Sequence, residues 1–174
     1  AAGQYTLGAY GALYCAIMLK LPWFVCLLVA AVLGGLWGAI PGFFKAYFNI
    51  NEVITSIMFN WIGLYLVNEL IYQNGTGPMY DVRNTRTLNL SKNADFAQSL
   101  IPDFGLNKLF QTNSTTIAIF LAAVVAVLIW VVLNKTTFGY ELKAVGLNKN
   151  AARYAGINEK KNIILSMAIA GALA

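Results

Sequence analysis

The stretch LPWFVCLLVAAVLGGLWGAI, from Leu21 to Ile40, decides the fold of this 174-residue chain. It contains no Asp, Glu, Lys or Arg, and its length matches the roughly 20 apolar residues that an α-helix needs to cross a bilayer. In hydrocarbon every backbone N–H and C=O group needs a partner inside its own segment, and a helix provides one. The stretch therefore predicts a membrane-spanning helix and an all-α fold.

Further apolar runs on both sides of this stretch have the same character. Of the residues of this chain, 59% are hydrophobic and 11% are charged. In a typical soluble domain about a quarter of all residues are charged. The runs predict five helices at about 3–19, 22–40, 53–72, 114–133 and 162 onward. We expect a polytopic transmembrane helical bundle, with 1–174 as one transmembrane domain. We expect it to be incomplete at both ends, because the chain starts without Met or a charged leader and the last run is too short for a span.

Composition excludes several other classes of protein. The chain has no histidine, and its two cysteines, Cys15 and Cys26, lie inside apolar runs, so neither a metal site nor a disulfide framework is predicted. No nucleophile-and-base pattern and no Gly-x-x-x-x-Gly-Lys-Ser/Thr loop is present. We therefore predict no catalytic residues, no cofactor and no ATP hydrolysis by this chain. The net charge of +5 is too scattered to indicate nucleic acid.

The distribution of basic residues predicts the orientation. With five helices, the loops at 41–52 and 134–161 lie on one side and carry seven Lys and Arg residues, against five on the other side. Cytoplasmic loops carry the excess of basic residues. We therefore expect 134–161, called the polar segment below, to be cytoplasmic and the long loop 73–113 to be extracellular.

Small residues mark the faces of the first two helices. Gly34, Gly38 and Gly42 recur every fourth residue, a spacing that lets helix backbones approach closely. The first helix has a similar strip at Gly8, Ala12 and Ala16. We expect tight helix packing at both strips. The pair Pro41-Gly42 is expected to end the second helix, and Asn51 is expected to cap the third.

The third helix is the least lipid-like of the five. Trp61, Tyr65 and Asn68 share one face, and Asn60 lies on a neighbouring face. An amide in hydrocarbon needs a partner, so both asparagines should point into a bundle or a cavity. One interpretation is a solute path formed by Asn60, Trp61, Tyr65 and Asn68. The other is hydrogen bonding between helices with an aromatic interface belt.

The polar segment predicts two short helices. Phe138 to Val145 should be closed by Gly146 in a positive-φ conformation, and Asn148 should cap a second helix that Gly156 closes. Neither is apolar enough to span a membrane. Small apolar side chains lie among basic ones, a mixture that suits a protein partner, although a basic interfacial helix has the same composition.

Three motifs resemble one protein family. FGYELKAVGLNKNAARYAGI (138–157) resembles the cytoplasmic coupling segment of type II permease subunits of bacterial ABC importers, in the nucleoside and simple-sugar branch. IPGFFKAYFNINEVITSIMFNWIGLYLVN (40–68) resembles the loop-and-helix stretch of that branch, and AAGQYTLGAYGA (1–12) resembles its glycine-rich early helix. In addition, no predicted span has an acidic residue in its interior to couple transport to an ion.

The resemblance implies a multi-pass permease of the bacterial inner membrane that carries a nucleoside. It would pair with a second permease subunit, a cytoplasmic ATPase subunit and an extracellular solute-binding lipoprotein. The coupling role would fall on matching residues of the polar segment: Phe138, Gly139, Glu141, Lys143, Gly146, Asn148, Ala151, Ala152 and Gly156. A ribose-like simple-sugar permease and a secondary carrier or channel remain the alternatives.

Overall fold

The computed structural model describes residues 2–72, 79–81, 86–87, 99–100 and 118–174. Within them the chain is a helical bundle, which confirms the predicted all-α class. The helices are α1 (Ala2–Ile17), α2 (Trp23–Phe48), α3 (Glu52–Tyr72), α4 (Ala118–Lys135), α5 (Thr137–Leu147), α6 (Lys149–Tyr154) and α7 (Glu159–Leu173). Two compact units are distinguished, one comprising Ala1–Leu100 with Ile163–Ala174 and the other Ile101–Asn162.

Three helices are long and apolar enough to cross a membrane, namely α2, α3 and α4. Their mean hydropathies are 2.2, 1.3 and 2.4, and none of the residues of α4 is buried. The apolar runs at the two ends of the chain also form helices, α1 with 16 residues and α7 with 15. All five predicted helices are therefore present, and three of them have both the length and the composition of a span.

Helix α2 is longer than predicted. We expected Pro41-Gly42 to end it near residue 40, but the helix continues through Pro41 to Phe48, so that prediction was wrong. Proline removes one backbone hydrogen bond, and membrane helices tolerate this loss because neighbouring helices can accommodate the freed carbonyl group. Pro41 is buried, and it borders a narrow cavity that polar side chains of α1 and α3 also line.

The turn from α2 to α3 is held by polar contacts. Asn49 adopts the left-handed conformation with φ 52°, and its N–H donates to the carbonyl oxygen of Lys45. Lys45 also forms an ion pair with Glu52, the first residue of α3. The side-chain oxygen of Asn51 accepts from the N–H of Val53 at 2.9 Å, which confirms the predicted cap at the start of α3.

The glycine strip of α2 packs against α7 in the first unit. A Cβ atom at Gly34 would lie 2.5 Å from the carbonyl oxygen of Gly171, and one at Gly38 would lie 2.6 Å from that of Met167. A Cβ atom at Gly42 would lie 3.2 Å from the Cα atom of Ile164. The predicted close packing is confirmed, because the two backbones meet where side chains are missing.

Helix α1 packs against both α2 and α3. A Cβ atom at Gly8 would lie 3.1 Å from the carbonyl oxygen of Ala30 in α2. At the start of α1, the N–H of Gly3 donates to the side-chain oxygen of Asn60 at 2.9 Å. Asn60 thus satisfies one of the free N–H groups that every helix N-terminus exposes, and it does so across two helices.

The loop predicted at 73–113 lies largely outside the described residues. Its described part contains a short antiparallel ladder of two strands, β1 (Tyr80–Asp81) and β2 (Arg86–Thr87), in which Tyr80 pairs with Thr87. The Ser99 hydroxyl donates to the carbonyl oxygen of Leu21 at 2.8 Å. Ser99 therefore lies beside the turn between α1 and α2.

Candidate functional site

The polar segment begins with a tight corner between α4 and α5. The two helices are separated by one residue, Thr136, whose hydroxyl donates to the Val132 carbonyl at 2.5 Å and accepts from the Gly139 N–H at 3.3 Å. Gly139 is buried, and a Cβ atom there would overlap the carbonyl oxygens of Val132 and Leu133. Glycine at 139 is what allows the last turn of α4 to touch the first turn of α5.

Lys143 ties α5 back to the end of α4. Its ammonium group donates to the side-chain oxygen of Asn134 at 2.8 Å, and the amide nitrogen of Asn134 donates to the Trp130 carbonyl at 3.0 Å. A cation near the last carbonyl groups of a helix is favoured by the helix dipole. Lys143 and Asn134 are both exposed, so water and salt weaken this contact.

Asn148 forms the junction between α5 and α6. Its side-chain oxygen accepts from the N–H groups of Asn150 at 3.0 Å and Ala151 at 3.2 Å, which confirms the predicted cap. Gly146 does not close α5 as predicted, because the helix runs to Leu147. Among the described glycines a positive φ is found at Gly156 and not at Gly146. The prediction for Gly146 was wrong because the cap at Asn148 already sets the helix end.

Gly156 ends α6 as predicted. Its φ is +79°, in the left-handed region that glycine adopts without a steric penalty. Its N–H donates to the Arg153 carbonyl, and the N–H of Ile157 donates to the Ala152 carbonyl. Asn158 then begins α7, with its side-chain oxygen accepting from the Lys161 N–H at 3.2 Å. Each helix boundary between residues 147 and 159 therefore has a polar or glycine stop.

An open groove of about 650 Å³ lies between α5 and α6. The predicted coupling residues Glu141, Asn148, Ala151 and Ala152 are among the residues that line it. Phe138, Gly139, Lys143, Gly146 and Gly156 are not in its lining. The structure thus brings four of the nine predicted residues to one surface, and two others, Gly139 and Gly156, set the backbone that shapes it.

Large apolar side chains are exposed around this groove. Tyr140 is 73% exposed, Leu147 is 89% exposed and Tyr154 is 95% exposed. The polar segment as a whole carries six basic and two acidic residues. The lining of the groove is mostly apolar, and the segment that contains it has a net positive charge, a combination that suits a partner with an apolar and acidic surface.

The residues predicted for a solute path do not converge on one point. Trp61 and Tyr65 stack with ring centroids 6.1 Å apart, and together with Asn68 they lie exposed on the outer face of α3. Asn60 points the other way, toward Gly3, beside a cavity of about 10 Å³ that Gln4, Trp37 and Ser56 also line. That volume is at the lower limit for one water molecule.

Two residues were missed by the sequence interpretation. Asn162 is 2% exposed and donates to the carboxylate of Glu141 at 3.0 Å. Gly171 is the residue against which Gly34 of α2 packs. A buried amide at the start of an apolar helix was the available signal for Asn162, but its partner lies 21 positions away along the chain.

Fold and site define a class: a helical protein with three helices of membrane-spanning length and composition, and with a capped pair of short, partly apolar helices that follows α4 in the chain. Comparison with known proteins identifies the family. The whole chain, residues 1–174, matches the family described as the permease component of branched-chain amino acid transport systems. The chain belongs to this family of permeases, and the resemblance found in its motifs is confirmed.

The relatives include transporters of two solute classes. The chain is 37% identical to the guanosine ABC transporter permease protein NupP of Bacillus subtilis, over 86% of this chain and 40% of the relative. It is 36% identical to the nucleoside ABC transporter permease protein NupB of Lactococcus lactis, over 84% and 39%. It is 30% identical to the galactose/methyl galactoside import permease protein MglC of Haemophilus influenzae, over 87% and 41%.

The chain spans about 40% of the length of these relatives. No solved structure matches it.

Proposed function

We propose that the chain belongs to the membrane-spanning permease subunit of an ATP-driven importer, which carries nucleosides across the bacterial inner membrane. The observation that carries the proposal is the relation to nucleoside permeases, at 37% and 36% identity over more than four fifths of the chain. The three helices of spanning length support a multi-pass protein. As a permease component, the chain transports rather than catalyses, and ATP is hydrolysed by a separate subunit.

The polar segment, 134–161, is the cytoplasmic coupling loop in this proposal. Its groove receives the ATPase subunit, because the exposed Tyr140 and Leu147 provide apolar contact and the excess of basic residues attracts an acidic surface. The loop 73–113 is then extracellular and faces a solute-binding lipoprotein. A cysteine introduced at Asn148 should react with a membrane-impermeant reagent only from the cytoplasm, and one at Asn93 only from outside.

The outer face of α3 is the proposed site of the solute path and of contact with a second permease subunit. Trp61 and Tyr65 offer stacked rings to a flat base, and Asn68 offers an amide to its edge. Asn60 has a different role, since it holds the start of α1. The remainder of the surface of α2, α3 and α4 contacts the lipid bilayer.

Simple-sugar transport is the second candidate function. Its support is the relation to MglC at 30% identity and to the glucose ABC transporter permease protein TsgB13 of Haloferax volcanii at 31%. The identities to these sugar permeases are lower than those to the two nucleoside permeases.

The test is uptake by the full-length permease reconstituted in vesicles with its ATPase, its second permease subunit and its receptor. Labelled guanosine should accumulate only when ATP is supplied, and a tenfold excess of galactose or leucine should not compete. Competition by galactose would favour the sugar alternative. Uptake that needs an ion gradient and not ATP would establish a secondary carrier and overturn the proposal.

Alanine substitutions on α3 test the solute path. Trp61→Ala should lower guanosine uptake about tenfold, because a base stacked on an aromatic ring contributes roughly 1–3 kcal/mol. Asn68→Ala should lower it about fivefold, because a hydrogen bond to the edge of the base contributes about 1 kcal/mol. Both variants should still assemble with the partner subunits. Asn60→Ala is the matched control, since it should impair assembly by releasing α1. Normal uptake in both outer-face variants, or lost assembly, would show that this face serves packing.

A further inference from the structure

The carboxylate of Glu141 already has a partner within its own unit. The amide nitrogen of Asn162 donates to Glu141 Oε2 at 3.0 Å and to the Asn158 carbonyl at 3.2 Å. Both hydrogens of that amide are therefore used. Asn162 is 2% exposed, and a buried hydrogen bond to a charged group is stronger than one between neutral groups.

Glu141 also lines the groove between α5 and α6. A carboxylate has two oxygens and about four acceptor sites. One oxygen accepts from Asn162 on α7, and the groove side of Glu141 is open to whatever occupies the groove. The side chain of Glu141 therefore lies between the groove and the first turn of α7.

Other polar contacts of α5 lead back to the preceding helix. Thr136 bonds to Val132 and Lys143 to Asn134, so they hold α5 to the end of α4. The contact between Glu141 and Asn162 leads forward to α7. That helix continues without interruption from Glu159 to Leu173, and its Gly171 is packed against Gly34. The hydrogen bond therefore joins the residue that lines the groove to the first turn of α7.

We propose that Glu141 and Asn162 form a relay in which occupation of the groove is transmitted to α7 through their hydrogen bond. The relay rests on the proposed function, since the occupant of the groove is the ATPase subunit. Asn162 is then a positioning residue, which contacts neither solute nor ATPase. Its contribution is to the efficiency with which ATP hydrolysis drives uptake.

The experiment measures guanosine molecules imported per ATP hydrolysed by the reconstituted full-length importer. Asn162→Ala should lower this ratio about tenfold, as expected for loss of a hydrogen bond to a charged group, while ATP hydrolysis continues. Glu141→Ala should lower it similarly, and the double variant should be no worse than either single one, because both remove the same contact. Glu141→Gln keeps an acceptor oxygen but loses the charge, so the ratio should fall by less than it does in Glu141→Ala.

The matched control is Asn150→Ala, an asparagine to alanine change on the exposed surface of α6. It should leave the ratio unchanged. Additive losses in the double variant, an equal loss in Glu141→Gln, or an unchanged ratio in Asn162→Ala would each overturn the relay. So would failure of Asn162→Ala to assemble with the ATPase, which would assign Asn162 to stability alone.

A second measurement separates the relay from the proposed function. Amide hydrogen exchange at 159–163 in the full-length permease without ATPase should be faster in Glu141→Ala and unchanged in Asn150→Ala. Absence of ATP-dependent uptake by the unmodified importer would overturn the proposed function, and the relay with it. Uptake with normal exchange in Glu141→Ala would overturn the relay alone.

Discussion

The crossing of α2 and α7 and the corner that begins the polar segment both depend on glycine, but they use it differently. At the crossing, Gly34 and Gly171 remove side chains from two helices that are distant in sequence, so that backbone meets backbone. At the corner, Gly139 lets two consecutive helices touch, and the surrounding contacts are polar. Lipid gives little hydrophobic drive to helix association, so close packing replaces it, whereas the backbone groups at helix ends need caps.

Gly139→Ala should break the corner and produce the largest effect. The added methyl group overlaps two carbonyl oxygens of α4, and backbone atoms cannot move aside as a flexible side chain can. We expect a loss of about 3 kcal/mol in unfolding free energy, measured by denaturation of the purified full-length permease in detergent.

Gly146→Ala is the control for this change. It lies in the same helix, and among the described residues nothing is within 4 Å of its Cβ position. Alanine in a helix interior is favoured over glycine by about 0.5–1 kcal/mol, so stability should rise slightly. A similar loss in both variants would contradict the distinction drawn between a packed and an open glycine.

Gly34→Ala tests the crossing and should have an intermediate effect. Its Cβ would lie 2.5 Å from the Gly171 carbonyl oxygen, so α2 and α7 must separate, at a cost of about 2 kcal/mol. Gly42→Ala, on the same strip, should cost less because its nearest contacts are 3.2 Å away and include the flexible side chain of Met167. Equal costs at the two positions would show that backbone contact is not what holds the crossing.

Asn148→Ala should have the smallest effect of the three. It removes the oxygen that caps α6, and loss of such a cap costs about 1 kcal/mol. Exchange of the first amides of α6 should accelerate by up to about tenfold, with Asn150→Ala unchanged as the control. Unchanged exchange in Asn148→Ala would mean that the junction is held by packing in the groove and not by its cap.

Local features of the fold were predictable from sequence, and features that depend on a distant partner were not. Apolar runs identified the helices, and Asn148 and Gly156 identified helix ends, because capping involves residues within a few positions. The sequence interpretation failed at Pro41, where neighbouring helices outweigh the local preference of proline. The glycine strip predicted that α2 is packed closely, but which helix packs there depends on pairing across more than 100 residues.

In the candidate site, too, local features were predictable from sequence, and contacts with distant partners were not. The sequence motif identified the polar segment as the candidate site, and four of the residues predicted there line one groove. The partner of Glu141 could not be identified in this way, since Asn162 lies beyond the segment and reaches the carboxylate only once α5, α6 and α7 have folded. Similarly, Asn60 shares α3 with Trp61 but faces a different neighbour, because helix packing and not sequence spacing decides which face is covered.

The continuation of α2 past Pro41 also bears on how the protein fits membranes of different thickness. A helix of 26 residues is about 39 Å long at 1.5 Å per residue, against a hydrocarbon core of about 30 Å. The excess of about 9 Å must be absorbed by tilt or by emergence into the headgroup region. Lys45, Tyr47 and Phe48 occupy the last turn, and such side chains anchor helices at the membrane boundary. In the proposed importer a thicker bilayer would therefore draw α2 upright, and uptake should respond to the acyl-chain length of the surrounding lipid.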